Sequence, residues 1–214
     1  MRKRFEDQME ELYLQMIRMG ALCEQAINQA TSALLEANNE LASATMESDH
    51  EIDLKEREIE NLCLQLLLQQ QPVASDLRKI SSALKMITDM ERIGDQAADI
   101  AEISLLIKTP GAADGIRSRL VREMARATAR MVTESIDAYV NNDVELAAKV
   151  IGDDDIVDAY FSQIKTETIE RIQRDASFGE NAVNLIMIAK YFERIGDHAT
   201  NIAEWVEFSV TGKK

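Results

Sequence analysis

The stretch MERIGDQAADIAE, residues 90–102, returns as FERIGDHATNIAE at 192–204. On a helical wheel at about 100° per residue, Glu91, Asp95, Asp99 and Glu102 fall in one acidic strip. Met86, Met90, Ile93, Ala97 and Ile100 form an apolar stripe on another side, with Gly94 and Ala98 between the two. The second copy repeats the strip as Glu193, Asp197, Asn201 and Glu204, with Asn201 standing where the first has Asp99. Both copies read as amphipathic helices. Gly94 and Ala98 leave room for a second helix to approach the acids closely. Like charges at i and i+4 are mildly destabilising on a helix, so something is expected to neutralise Glu91 with Asp95, and Glu193 with Asp197.

The rest of the chain is also written twice. Met19 matches Met124, Ala33 matches Ala138, Leu41 matches Leu146, Asp49 matches Asp154 and Asp53 matches Asp158, all at an offset of 105. The ERIGD motifs are offset by 102. A three-residue shift therefore lies between, and it is expected at the turn that carries Pro72 in the first half and Ser177-Phe178-Gly179 in the second. Pro-Gly within TPGAADG, 109–115, is a strong breaker and divides the chain into 1–108, a linker over 109–115, and 116–214. Each half reads as three helices, roughly 4–38, 40–70 and 73–108, then 116–141, 143–174 and 178–209. Asn38-Asn39 and Asn141-Asn142-Asp143 mark the first break in each half. Helices much longer than the usual 11–12 or so residues, joined by short connections, pack as antiparallel neighbours. The expected fold class is all-α, two tandem pseudo-symmetric three-helix bundles.

Composition agrees. Among 214 residues only 2 are Pro, 8 are Gly and 5% are aromatic, the profile of a nearly all-helical chain. A net charge of −14 argues against nucleic acid and against an anionic membrane surface, and favours cations or a basic face on a partner. No apolar run approaches the roughly 18–20 residues that span a bilayer. The start MRKRFEDQMEEL turns acidic at once instead of apolar, so it reads as the first turns of a helix rather than a signal peptide. Cys23 and Cys63 lack C-x-x-C spacing and read as buried or idle thiols in a reducing compartment, which makes the cytoplasm the expected location.

The second helix of each half carries its own acidic pair, Asp49 with Asp53 and Asp154 with Asp158. From Asp53 to Pro72 is 19 residues, and from Pro72 to Glu91 is 19 again. Equal lengths up and down bring the two pairs level, so four carboxylates converge in each half. Clustered carboxylates raise one another's pKa unless a cation is present, and an oxygen-rich site suits magnesium, calcium, manganese or iron better than copper. His50 and His198 sit beside motif acids but point about 100° away on a helix, so they read as solvated or hydrogen-bonded side chains rather than ligands. A plainer alternative stays open, in which the acids are solvated faces and Arg92 and Arg194 bridge to them across the bundle as ion pairs.

PVASDLRKISSALKMITDMERIGDQAADIAE at 72–102 and IAKYFERIGDHATNIAEWV at 188–206, with the acidic pairs above, resemble the PhoU family, regulators of phosphate uptake in bacteria. The resemblance covers nearly the whole chain. It implies two three-helix bundles and metal clusters held by E/D-x-x-x-D pairs. The metal would be iron foremost, with zinc, manganese or magnesium as alternatives. The first site would use Asp49, Asp53, Glu91 and Asp95, with Asp99 as an addition. The second would use Asp154, Asp158, Glu193 and Asp197, with Asn201 in place of an acid and hence weaker or less complete binding. It further implies a non-catalytic regulator that acts at the cytoplasmic face between the phosphate ABC transporter, through its ATPase, and a sensor histidine kinase. No nucleic acid partner is expected, and the assembly entertained is a homodimer. The chain has no Walker A loop, no G-x-S-x-G and no Cys/His nucleophile arrangement. A carboxylate-bridged metalloenzyme and a metal-free structural adaptor are the alternatives.

Overall fold

In the computed structural model, which describes residues 2–70, 72–107 and 119–213, the helix breaks fall where Asn, Asp and Pro interrupt the apolar period. The helices are α1 (Arg2–Glu36), α2 (Asn39–Gln70), α3 (Ala74–Leu105), α4 (Arg119–Asn141), α5 (Val144–Arg174) and α6 (Gly179–Thr211), with a short 3₁₀ turn at Ala176–Phe178. No strand occurs among the described residues. The linker expected at 109–115 lies outside them.

The first turn of each half is made identically. Ala37 and Asn142 both adopt φ 54°, a left-handed conformation that stops a helix. The next residues cap the following helix: Asn38 Oδ1 accepts from the Leu41 N–H at 3.0 Å and Asp143 Oδ1 from the Leu146 N–H at 2.9 Å. The same two residues donate their own N–H groups back to Ala33 and Ala138, at 3.0 and 2.8 Å. Each of these pairs keeps the offset of 105.

The second turns differ. Asp175 caps the 3₁₀ turn by accepting from the Ser177 N–H at 3.0 Å, and Phe178 is buried with the Arg171 guanidinium 4.1 Å from its ring centroid. Ala74 and Gly179 begin their helices 105 apart, yet Glu91 lies 17 residues into α3 and Glu193 only 14 into α6. At the motif offset of 102 Ala74 matches Ala176, where the 3₁₀ turn begins, so the three-residue shift falls at this connection, as expected.

The third helices, α3 and α6, make the most extensive helix–helix contact in the molecule, and α1 packs on α4. The helices α2 and α5 pack chiefly on their own halves. One continuous apolar core runs through both bundles, and Met86, Met90, Ile93, Ala97 and Ile100 are all fully buried in it. Contacts between the halves are close. A Cβ on Gly20 of α1 would lie 3.1 Å from Ile136 Cγ1 of α4. The buried Tyr139 of α4 donates its hydroxyl to the Lys79 carbonyl of α3 at 3.0 Å and meets the Tyr13 ring edge-on at 5.6 Å between centroids. Cys23 and Cys63 are both buried and free, and burial pushes each thiol up to about 12. No described helix is long and apolar enough to cross a membrane.

Candidate metal centre

The acids are positioned by the closest approach of α2 to α3. A Cβ on Gly94 would lie 2.8 Å from both Asp49 Oδ1 and Ile52 Cδ1. In the second half a Cβ on Gly196 would lie 3.3 Å from Asp154 Oδ1 and 3.4 Å from Val157 Cγ1. Ala98 lines the cleft described below. The antiparallel register therefore sets each D-x-x-x-D beside its E-x-x-x-D.

The electrostatics follow from that register. Burial, then Asp95, Asp53 and Asp99, push the Asp49 carboxyl up to about 6. Burial, then Asp197, Asp158 and Glu193, do the same to Asp154, again to about 6. Burial followed by neighbouring acids also raises Glu91 and Asp197. Asp99 is raised by burial although a hydrogen bond with Tyr191 works the other way. Glu56 joins the first group, raised by burial and then by Glu60 and Asp53. The sequence reading had not singled it out.

The neutralising partners are partly local. Arg92 donates to Asp95 at 2.9 Å and stands 3.4 Å from Glu91, all on one helix, rather than bridging across the bundle. Lys190 pairs with Glu193, also along its own helix. Among the described residues no three His, Cys, Asp or Glu side chains are gathered so as to hold an ion in these conformations. The deepest oxygens are nevertheless unserved. Asp49 Oδ1 and Asp154 Oδ1 are buried and receive no hydrogen bond. A buried carboxylate oxygen without a donor is costly, and a hard cation is the partner its chemistry suits.

A polar cleft of about 620 Å³ opens between the halves. Asp49, Asp95 and Asp99 contribute its acids, Arg92 and Arg194 its guanidinium groups, and Gln96 and His198 its remaining polar groups. Arg194 therefore faces the first half's acids. Two sets of bonds flank the α3–α6 seam. On one side Asp89 Oδ1 lies 2.8 Å from His198 Nδ1 and accepts from Asn201 Nδ2 at 3.1 Å. On the other, Tyr191 bonds Asp99. Asp89 and Tyr191, Gln96 and His198, and Asp99 and Asn201 are each 102 apart, so the two flanks are pseudo-symmetric counterparts.

The first-half acids and Asp154, Asp158, Glu193 and Asp197 are thus brought together as two groups. Asn201 instead turns to Asp89 across the seam, and His198 is hydrogen-bonded as expected. His50 is exposed. Asp89, Gln96 and Tyr191 were missed. Their signal was present: Asp89 and Gln96, like Tyr191 and His198, are seven apart, the spacing of a helix–helix seam.

The family model described as the PhoU domain matches this chain twice, over residues 16–104 and 121–206. The chain belongs to the PhoU family. The two matched PhoU segments fall on either side of the midpoint breaker, one in each bundle. The "Phosphate-specific transport system accessory protein PhoU homolog" of Clostridium acetobutylicum is 35% identical over 214 residues, covering 100% of this chain and 97% of that protein. Its namesake from Pseudomonas aeruginosa is 35% identical over 211 residues, covering 98% and 86%. The crystal structure of PhoU from Pseudomonas aeruginosa superposes with a TM-score of 0.89 at 34% identity, over 98% of this chain and 100% of the other. The phosphate transport system regulatory protein PhoU from Streptococcus pneumoniae also gives 0.89, at 26% identity, over 98% of each.

Proposed function

We propose that this chain is a non-catalytic regulator of phosphate uptake and of the phosphate-starvation response. It works in the cytoplasm between the ATPase of a phosphate ABC transporter and a sensor histidine kinase, with metal ions held by its carboxylate pairs. The regulatory part is supported by relatives named as accessory proteins of phosphate-specific transport that align over nearly the whole of both chains. The metal part rests on one observation, the matched orphan oxygens of Asp49 and Asp154.

Asp49, Asp53, Glu91, Asp95 and Asp99 would hold the first ion or cluster, and Asp154, Asp158, Glu193 and Asp197 the second. Bound cations would supply positive charge that lets these acids stay ionised while partly buried. Iron is the foremost candidate, with manganese, magnesium and zinc behind it. Binding requires Arg92 and Lys190 to release their acids. Both are about half exposed, at 55% and 45%, so each can move into solvent. The same ion pairs favour a second reading, a metal-free bundle in which Arg92 and Lys190 are the main neutralisers of the acids.

Elemental analysis of untagged protein separates the two. Beside the wild type stand Glu91→Ala with Asp95→Ala, and Glu193→Ala with Asp197→Ala. Metal near or above one ion per site, lost separately in each double variant, is the expected result. Absence of metal after iron, manganese, zinc or magnesium is added back would establish the metal-free reading. The regulatory role has its own test. Deleting the gene should switch on a phosphate-repressed reporter in phosphate-rich medium, and a reporter that stays off would refute the role.

A further inference from the structure

We infer that Gln96 is an additional oxygen ligand for the hard metal cation of the first carboxylate site, held at the junction of the two halves, and that the second half has no equivalent. The inference rests on the metal-binding reading above and adds to it a residue outside the acidic pairs.

Gln96 lies in the seam between α3 and α6 and is only 7% exposed. It lines the same cleft as Asp49, Asp95 and Asp99. Its Oε1 is buried and accepts no hydrogen bond from the protein. Leaving an amide oxygen in that state is costly, a cost that an apolar residue of similar size would avoid. The orphan oxygen thus asks for a positive partner, and its neighbours say which kind. Carboxylates with a neutral amide oxygen form the donor set that hard cations take. A neutral donor also completes coordination without adding to the mutual repulsion of three acids.

The guanidinium groups in the cleft do not take this role. Arg92 is engaged by Asp95 and Glu91. Arg194 acts on Asp99 and Tyr191. The counterpart of Gln96 in the second half is His198, which is already bonded to Asp89. The counterpart of Asp99 is Asn201, bonded to the same acid. In the second half both positions are hydrogen-bonded to Asp89, whereas in the first half the Gln96 Oε1 accepts no bond.

The test is a Mn²⁺ titration of the full chain by calorimetry, in a Glu193→Gln, Asp197→Asn background that silences the second site. Gln96→Leu should weaken first-site Mn²⁺ binding by at least about tenfold, the smallest loss usual when even an outer partner of a metal ligand is removed. The metal-free melting temperature should hold or rise, because an orphan acceptor has gone. Gln96→Glu should instead tighten Mn²⁺ binding. Unchanged affinity in both variants would overturn the assignment while leaving the carboxylate sites standing. Weaker binding matched by a fall in metal-free melting temperature would assign Gln96 a packing role and also overturn it. Failure of the background protein to bind Mn²⁺ at all would remove the first metal site, and this ligand with it.

Discussion

At Gly94 the second helix comes so close that a Cβ would lie 2.8 Å from Asp49 Oδ1, whereas at Gly196 the same contact to Asp154 opens to 3.3 Å. Both glycines sit in the five letters ERIGD. Around them Ala98 becomes Thr200, Gln96 becomes His198 and Asp99 becomes Asn201. The first half turns its acids and an unbonded amide toward a cleft. The second half turns the matching polar groups to Asp89 and locks the seam. A repeated motif therefore supplies the same carboxylates twice, while its neighbours decide which polar groups are bonded across the seam and which are left unbonded.

The largest expected effect breaks the bracing flank. Asp89→Ala removes the bonds to His198 and Asn201 and should cost about 1.5–3 kcal/mol, the usual worth of hydrogen bonds to a charged group. Its counterpart Tyr191→Phe removes one bond to Asp99 and should cost about 0.5–1.5 kcal/mol. Urea denaturation of both variants measures the difference, and equal costs would mean that the two flanks are alike.

Next comes the approach of the helices. Gly94→Ala must push Ile52 or Asp49 aside, so it should destabilise by about 1–2 kcal/mol even after the gain in helix propensity. Gly196→Ala has room and should stay within about 0.5 kcal/mol of the wild type. The same denaturation curves read this out, and the reverse order would contradict the tighter first half.

A smaller effect tests where the halves agree. The folded pKa of Asp49 and of Asp154 is about 6, above the roughly 3.9 of an unfolded Asp. The folded state thus binds these protons more tightly than the unfolded chain. The contribution of both groups to metal-free stability is lowest above pH 6 and improves as pH falls through 6 toward 4. Asp49→Asn and Asp154→Asn should each stabilise metal-free protein at pH 7.5 by roughly 1 kcal/mol, or about 2–4 °C. The gain should shrink at pH 5. Melting curves across that range check both the sign and the match between halves.

The smallest effect is Arg92→Ala. An ion pair this exposed is worth less than about 1 kcal/mol, so metal-free stability should barely change. Mn²⁺ binding at the first site should tighten, because a competitor for Asp95 and Glu91 is gone. Weaker binding would make Arg92 a support for the site rather than a competitor.

Much of this is legible in the order of residues. Asn38, Asp143 and Pro72 marked the breaks because capping and the missing proline N–H act over a few residues. The level of Asp53 with Glu91 followed from counting residues to and from a turn. The partners of the acids were harder to read. The alternative that Arg92 reaches across the bundle gives way to pairing on its own helix, because an i,i+3 neighbour is always within reach. Glu56 was overlooked because its effect on the cluster depends on how α2 leans over α3. The three-residue shift was expected at the turn and falls there, where a 3₁₀ turn and buried Phe178 stand in place of Pro72.

Residue order alone gives six antiparallel helices, their doubling, and four acidic pairs at matching heights. These follow from helical period, capping and chain length, all of which act locally. Only the tertiary structure decides which flank of α3 meets α6, and so that Asp89 braces, Gln96 is left unbonded and Asn201 leaves the acidic strip. Helical period fixes the angle of a side chain on its own helix. Whether anything stands at that angle depends on contacts between residues more than a hundred positions apart, such as Asp89 and His198.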